Sequence, residues 1–448
     1  MSAPLEDKGR IGLGQLARSK LIERFRSQDK SRADDGTAWQ TAASRPATPV
    51  PDAWCRFERH PAYERLVVSQ TAAERLGLDN PFFRMHDSVG SATTQIAGRE
   101  FINFSSYNYL GLSGHPRVNK AARDAMERYG TSPSASRLVA GERPIQRQLE
   151  QALATFYGVD DAVVFVSGHA TNVSTISALF GAKDLVVHDA LIHNSVLEGI
   201  RLSGAHRRSF PHNDGQALDA LLAQIRGQFE RVLIVIEGLY SMDGDCPDLP
   251  RFVEIKTRHK AFLMVDEAHA LGVLGPTGRG IAEHARVPTQ AVDIWMGTLS
   301  KALASCGGYV AGSQALVDLL KYTAPGFVYS VGISPPLAAA ALEALRILQD
   351  EPRRVARLQE AGHEFLHLAR QHGIDTGLSE GYAVTPALIG SSLKAAKASN
   401  ALFARGINVQ PIVYPAVEER AARLRFFVSA LHTPEHLRAA VEALARVL

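Results

Sequence analysis

The chain has 448 residues, 46% of them hydrophobic and 21% charged, the make-up of a globular protein with apolar material for two or three lobes. Its 49 basic and 46 acidic residues leave a formal charge of +3, too weak a field to point to nucleic acid or an anionic membrane as partner. Cys55, Cys246 and Cys306 lack metal-ligand spacing, so they read as reduced thiols and no metal is expected. No apolar run is long enough to span a bilayer, and Glu6 and Asp7 stand where a signal peptide would be apolar, so a cytoplasmic location is expected.

In chain order, Leu13 to Phe25 has helical spacing, with Leu13, Leu16, Ala17 and Leu21 on one face. It reads either as a docking element for a partner or as a helix that packs on its own enzyme. Asp29 to Asp52 is rich in Ser, Ala, Thr, Asp and Pro and reads as a flexible linker. Residues 1–52 are therefore assigned to an N-terminal helix and linker, and 53–104 to a segment packing on the smaller lobe. Within that segment Gln95 to Phe104 alternates around a turn and predicts a hairpin. Continuous apolar strands are predicted at Ala162–Val166, Asp184–His188, Val232–Ile236 and Ala261–Val265, with helices at Asn172–Leu179 and from about Asn194. This alternation predicts a mostly parallel sheet covered on both faces, in a large domain over 105–340. Residues 341–448 read as a smaller α+β domain. Its expected helices are Arg353–His372 and Pro434–Leu448, and its short strands Ala383–Ile389, Asn408–Val413 and Leu424–Val428. A long Ala-rich helix opens at Pro335-Pro336 and runs to about Leu348.

Ligands of such sheets collect beyond the carboxyl ends of the strands, and four strands end there in polar clusters. Asp266 follows four apolar residues, and a buried carboxylate needs a cationic or donor partner. A pyridinium N–H is one such partner; a helix cap or a structural ion pair is another. His269 has left the strand and can turn back toward a ring hydroxyl. His193 offers a flat imidazole for stacking on a cofactor ring, or a structural cap. Gly168 and His169 precede a helix, where free N–H groups and the dipole favour phosphate. Ser241 offers a hydroxyl on the same rim. Lys301 lies in Thr298-Leu-Ser-Lys301, ahead of Gly307-Gly308. A buried lysine loses charge through desolvation and becomes nucleophilic. Hydroxyls, one lysine and close-approaching glycines suit a phosphate-bearing aldehyde held as a Schiff base, although a solvated lysine is the commoner case.

Six motifs then stand in one order: Tyr107-Asn-Tyr-Leu-Gly-Leu112, Ser134-Ala-Ser-Arg-Leu-Val-Ala-Gly141, Glu237-Gly-Leu-Tyr-Ser-Met-Asp-Gly244, Val265-Asp-Glu-Ala-His269 with its sequel to Gly275, Thr298-Leu-Ser-Lys301 and Arg423-Leu-Arg425. With them the chain, from about Asn80 to the C-terminus, resembles the α-oxoamine synthases. The resemblance implies a pyridoxal 5′-phosphate (PLP) dependent transferase of the type I, aspartate aminotransferase-like fold. That is an α/β architecture with a large, mostly parallel sheet domain and a smaller α+β C-terminal domain.

By that resemblance, Lys301 forms the Schiff base and later moves the α-proton, and Asp266 pairs with the pyridine nitrogen. His269 and Ser241 contact the ring hydroxyl region, and His193 stacks on the ring. Thr298 holds the phosphate with the turn at Gly168 and His169. Ser330 is implied as a phosphate contact supplied by the second subunit of a homodimer with shared active sites. Arg425 is implied to grip the substrate carboxylate, and Ser136 to help choose among small amino acids. Tyr107 and Asn108 resemble the serine palmitoyltransferase branch, in which the tyrosine meets the acyl substrate. Gln410 to Pro415 instead resembles the aminolevulinate synthase and ketobutyrate ligase branch. The extension before Asn80 looks like that of synthases working beside carrier-protein assembly lines. The implied reaction is a decarboxylative condensation of glycine, alanine or serine with an acyl thioester, on CoA or on an acyl carrier protein, to give an α-aminoketone. A type I aminotransferase and a glycine C-acetyltransferase-like enzyme of threonine catabolism are the alternatives.

Overall fold

A computed structural model describes residues 49–448, so the expected helix Leu13–Phe25 and most of the expected linker lie outside the described residues. The chain divides into two compact units, one ending at Leu76 and the other comprising Gly77–Leu448. In the first, short 3-10 turns at Asp52–Trp54 and Phe57–Arg59 lead into the helix Pro61–Arg75. His60 caps that helix by accepting from the Ala62 N–H, and Pro61 stands where a missing N–H costs nothing.

The second unit begins with the expected hairpin, β1 (Thr93–Ile96) and β2 (Arg99–Asn103). Ala97 and Gly98 between them both adopt positive φ, the conformation that a two-residue hairpin loop requires. Seven strands build the main sheet: β3 (Asp161–Phe165), β4 (Leu185–Asp189), β5 (His206–Phe210), β6 (Val232–Glu237), β7 (Phe262–Asp266), β8 (Ile294–Thr298) and β9 (Gly308–Gly312). Their order is β3-β9-β8-β7-β6-β4-β5. β5, β4, β6, β7 and β8 run parallel, while β9 is antiparallel to both neighbours.

Alternate residues of these strands enter two separate cores. Val164, Val187, Ile234, Val265 and Trp295 face one; Val163, Val186, Val235, Met264 and Met296 face the other. Both faces are therefore covered, as continuous apolar strands demand. One carboxyl edge results, where β4, β6, β7 and β8 end in Asp189, Glu237, Asp266 and Thr298.

Four short strands follow: β10 (Val384–Leu388), β11 (Ile407–Asn408), β12 (Gln410–Ile412) and β13 (Arg423–Phe427). The single strand expected over Asn408–Val413 is in fact two. Ile407 and Asn408 pair in parallel with β2, whereas Gln410 to Ile412 pair with β13. The chain changes sheet at the fully buried Val409. The helix expected from Asn172 begins four residues earlier, at Gly168, because the Ser167 hydroxyl accepts the Ala170 N–H and caps it there.

β8 carries the chain directly to Lys301, and its seating is tight. A Cβ on Gly297 would fall 2.2 Å from the Tyr309 hydroxyl oxygen. That hydroxyl pairs with the Tyr157 hydroxyl at 2.8 Å, and the Tyr157 ring stacks on Trp295. Gly297→Ala is expected to cost about 1–3 kcal/mol through overpacking. The check is a lower denaturant midpoint at unchanged slope; an unchanged midpoint would show that the tyrosine pair moves aside freely.

Candidate active site

A cavity of about 400 Å³ opens at the carboxyl edge of the main sheet, lined by Tyr107, Gly168, His169, His193, Ser241, Asp266, His269, Thr298, Lys301 and Arg425 among others. Ten of the thirteen residues expected from the sequence thus surround one space.

Asp266, at the end of β7, is buried. One carboxylate oxygen accepts from Asn172 Nδ2 and the other from the Ala268 N–H, each at 2.9 Å. Burial brings the Lys301 amine down from its ordinary value to about 8, although Asp266 and Glu237 oppose the shift. Its Nζ lies 5.3 Å from the Tyr107 ring centroid. Burial also pushes Glu237 up to about 8, with Asp266 adding to the effect, so Glu237 is largely a neutral acid at pH 7.

Burial, with Lys301 and Arg425, holds His269 well below the usual imidazole range, and its Nδ1 lies 2.7 Å from the Tyr109 hydroxyl. His193 caps the helix Asn194–Ser203. Its Nδ1 accepts the Ser195 N–H at 3.3 Å and meets the Ser195 hydroxyl at 2.7 Å. Burial keeps this imidazole neutral too, and accepting at Nδ1 places its proton on Nε2. Ser195 and Asn172 are hydrogen-bonded at 2.9 Å, so a continuous chain runs from His193 to Asp266.

At the other end of the cavity stands the N-terminus of the helix Gly168–Leu179, whose first-turn N–H groups lack intrahelical acceptors. A Cβ on Gly168 would fall 3.0 Å from Thr298 Oγ1, so glycine lets that hydroxyl approach the helix end. Thr298 Oγ1 donates to the Gly307 carbonyl and accepts the Ser300 N–H. Across the cavity, Arg425 on β13 donates through Nη1 to the Ser241 carbonyl at 3.0 Å, while its buried Nε has no partner among the described residues. Arg423, two residues away on the same strand face, pairs with Asp243 at 2.7 Å.

Three expected residues lie elsewhere. Asn108 is buried, but its amide is committed to the Gly90 carbonyl and the Ser113 N–H, and it lines an adjoining cavity of about 350 Å³. Ser136 caps the turn Arg137–Gly141, and the Ser330 hydroxyl donates to the Val331 carbonyl. These last two sit on neighbouring segments, joined by the Gly332 N–H to the Ala135 carbonyl.

The sequence reading gave no role to Asn172, Ser195, Glu237 or His212. His212 bridges two buried carboxylates, Asp189 through Nδ1 and Asp245 through Nε2, each at 2.9 Å. Asp189 also accepts the N–H of Leu191, two residues before His193. Asp245 closes the loop bearing Ser241 and Met242. His212 thereby ties together two walls of the cavity.

The cavity offers a helix end that could take an anion, the Lys301 amine to an aldehyde and the Asp266 carboxylate to a basic ring nitrogen. The unpartnered Arg425 Nε and Glu237 Oε1, both buried, point to occupants with further polar groups. PLP meets this description, and the fold and cavity are those of a type I PLP-dependent enzyme.

Comparison with known proteins agrees. Residues 99–444 match the aminotransferase class I and II model. The 8-amino-7-oxononanoate synthase of Symbiobacterium thermophilum is 42% identical, over 85% of this chain and 97% of its own length. That of Geobacter sulfurreducens is 44% identical, over 78% and 89%. Among solved structures, Sphingomonas wittichii serine palmitoyltransferase superposes with a TM-score of 0.83 at 28% identity, covering 86% of this chain and 97% of that one. The S. paucimobilis serine palmitoyltransferase with a bound PLP–myriocin aldimine gives the same TM-score, identity and coverage. The chain belongs to the α-oxoamine synthases, PLP-dependent acyltransferases within the class I and II aminotransferase family.

The clamp at His212 is open to test. Burial lowers this imidazole, but its two carboxylates outweigh that and raise it to about 10. A raised folded-state pKa contributes stability that is complete below about 6.5, the unfolded value, and is lost as pH climbs through about 10. His212→Gln leaves Asp189 and Asp245 facing each other, at an expected cost of about 3 kcal/mol. Thermal unfolding across pH should show the gap between wild type and variant widest below pH 6.5 and closing toward pH 10.

Proposed function

We propose that the enzyme condenses glycine, alanine or serine with an acyl thioester, expels carbon dioxide and releases an α-aminoketone. The observation that carries this reading is the single cavity in which Lys301, Asp266, His269 and Arg425 face one another. The relatives' name supports it, since 8-amino-7-oxononanoate carries its amine beside its ketone.

When bound, PLP supplies an electron sink for a carbanion at the amino acid's α-carbon. The chain's own residues do the rest. Arg425 holds the amino-acid carboxylate through a planar guanidinium, for which lysine is a poor substitute. Lys301, with its depressed pKa, captures the aldehyde, then takes the α-proton and returns one to the same carbon after decarboxylation. Asp266, fixed by Asn172 and the Ala268 N–H, keeps the ring nitrogen protonated. His193 covers the ring face. His269, fixed by Tyr109, and Ser241 address the ring hydroxyl region. Gly168, His169 and Thr298 hold the phosphate. Tyr107, which lines both this cavity and the adjoining one, meets the acyl substrate as it enters.

The unit works as a homodimer in this reading. Ser136 and Ser330 miss their own cavity yet share one surface with the exposed side chains of Leu138, Val139, Tyr329 and Val331. An apolar surface of this kind is suited to burial against a second copy, which would bring Ser330 to the partner's phosphate site.

Lys301→Ala is expected to lower turnover at least about a thousandfold and to abolish the borohydride-sensitive Schiff-base absorbance. Carbon dioxide release without keto-acid formation from the amino donor separates this chemistry from transamination. Arg425→Lys should raise KM for the amino acid about tenfold or more, with a smaller change in kcat. In the apo-protein, the rate of PLP capture should climb with pH and level off above about 8, following the neutral Lys301 amine. A flat profile between pH 6 and 9, read by stopped-flow absorbance, would sink the assignment of Lys301 as an activated nucleophile.

A further inference from the structure

Away from the cavity, three side chains of different donor type converge. Cys246 Sγ, a ring nitrogen of His284 and a carboxylate oxygen of Glu380 lie within 4.8 Å of one another. They come from three separate parts of the chain: the segment after the Ser241 loop, the short helix Ile281–Ala285, and the turn before β10. Their backbones are already tied, because the Cys246 N–H donates to Glu380 Oε1 at 2.8 Å and the Glu380 N–H donates to the Gly244 carbonyl at 3.0 Å. Cys246 is half-buried, while His284 and Glu380 are exposed, so the cluster is open to solvent on one side. Among the described residues the His284 ring makes no hydrogen bond; its one aromatic neighbour is Tyr382, edge-on at 5.5 Å.

We infer that Cys246, His284 and Glu380 form a binding site for a zinc-class divalent cation, with water completing a tetrahedron. One sulfur, one imidazole nitrogen and one carboxylate oxygen make a borderline-soft set that favours zinc over magnesium or calcium. Metal–ligand distances of about 2.0–2.3 Å set ligand–ligand separations of roughly 3.3–3.8 Å. From within 4.8 Å the three groups therefore need to close by at most about 1.5 Å, and the exposed His284 side chain is free to do so. Binding exchanges the Cys246 thiol proton for the cation and releases that proton to solvent. The ion would pin the turn before β10 to the loop that carries Ser241 and Met242. Sequence spacing could not show this site, since 38 and 96 residues separate the three ligands.

The test uses untagged holoenzyme in which Cys55→Ser and Cys306→Ser remove the two exposed thiols. Zinc is titrated against a competing chelator, and cobalt is used as a spectroscopic probe. The expected result is one zinc per chain at micromolar or tighter affinity, tetrahedral cobalt bands in the visible, and a thermal midpoint raised by about 2 °C or more at hundredfold excess of metal. Cys246→Ser should abolish the cobalt bands, and His284→Ala, at an exposed position that leaves folding intact, should weaken zinc at least tenfold. Binding of the same strength and stoichiometry in both variants, or no binding up to about 100 µM zinc, would overturn the inference.

Discussion

One amine and two carboxyl groups are buried around one cavity, and the rest of the site follows from how their charges are balanced. Lys301 cannot hold its proton at full strength there, and Glu237 cannot easily lose its own. Asp266 is the carboxyl group that the fold holds at both oxygens, through Asn172 and a backbone N–H. In a low-dielectric cavity each of these couplings counts for more than it would at a surface. The arrangement lowers the lysine's pKa while holding the Asp266 carboxylate in one fixed position.

The parallel sheet supplies the means. Strands that begin far apart in the chain end along one edge, so Asp189, Glu237, Asp266 and Thr298 arrive in a row without any loop having to find them. The opposite wall is less rigidly given. Arg425 comes from a different sheet, which is joined to the main one by the Arg425 hydrogen bond to the Ser241 carbonyl and by the Arg423–Asp243 pair. The His212 bridge sits behind the same loop. The proposed cofactor contacts thus rest on the main sheet, while the proposed substrate contact at Arg425 rests on a strand of another sheet tied to it.

Much of this was legible in the sequence. Buried parallel strands are continuous apolar runs, and polar residues that break those runs abruptly mark strand ends; Asp266 is of this kind. The missed strands lacked the signal. β5 is an edge strand whose exposed Arg207 and Arg208 mask it, β8 has only three large apolar residues before Gly297, and β9 is framed by two glycines. Val409 looked like the middle of one strand because the alternation Ile407, Val409, Pro411 continues through it and does not reveal that Asn408 and Gln410 serve two sheets. Asn172, Ser195 and His212 escaped because their roles depend on tertiary neighbours, and nothing in the local pattern of a helix or a turn announces those. Glu237 was in plain view within a motif. Its importance lies in losing its charge, which requires knowing how deeply it is buried.

The pairing of β2 with β11 has a consequence for how the protein is made. Ile102 finds its partner at Ile407, about 300 residues later in the chain. At ribosomal rates of about 5–20 residues per second, one side of the β1–β2 hairpin waits on the order of 15–60 s without the strand that completes it. An unpaired strand edge left open that long is a template for the wrong neighbour. That edge is short, since β2 has five residues and only two of them finally pair with β11, which limits how much β structure the nascent chain exposes while the second half of the protein is still being synthesised.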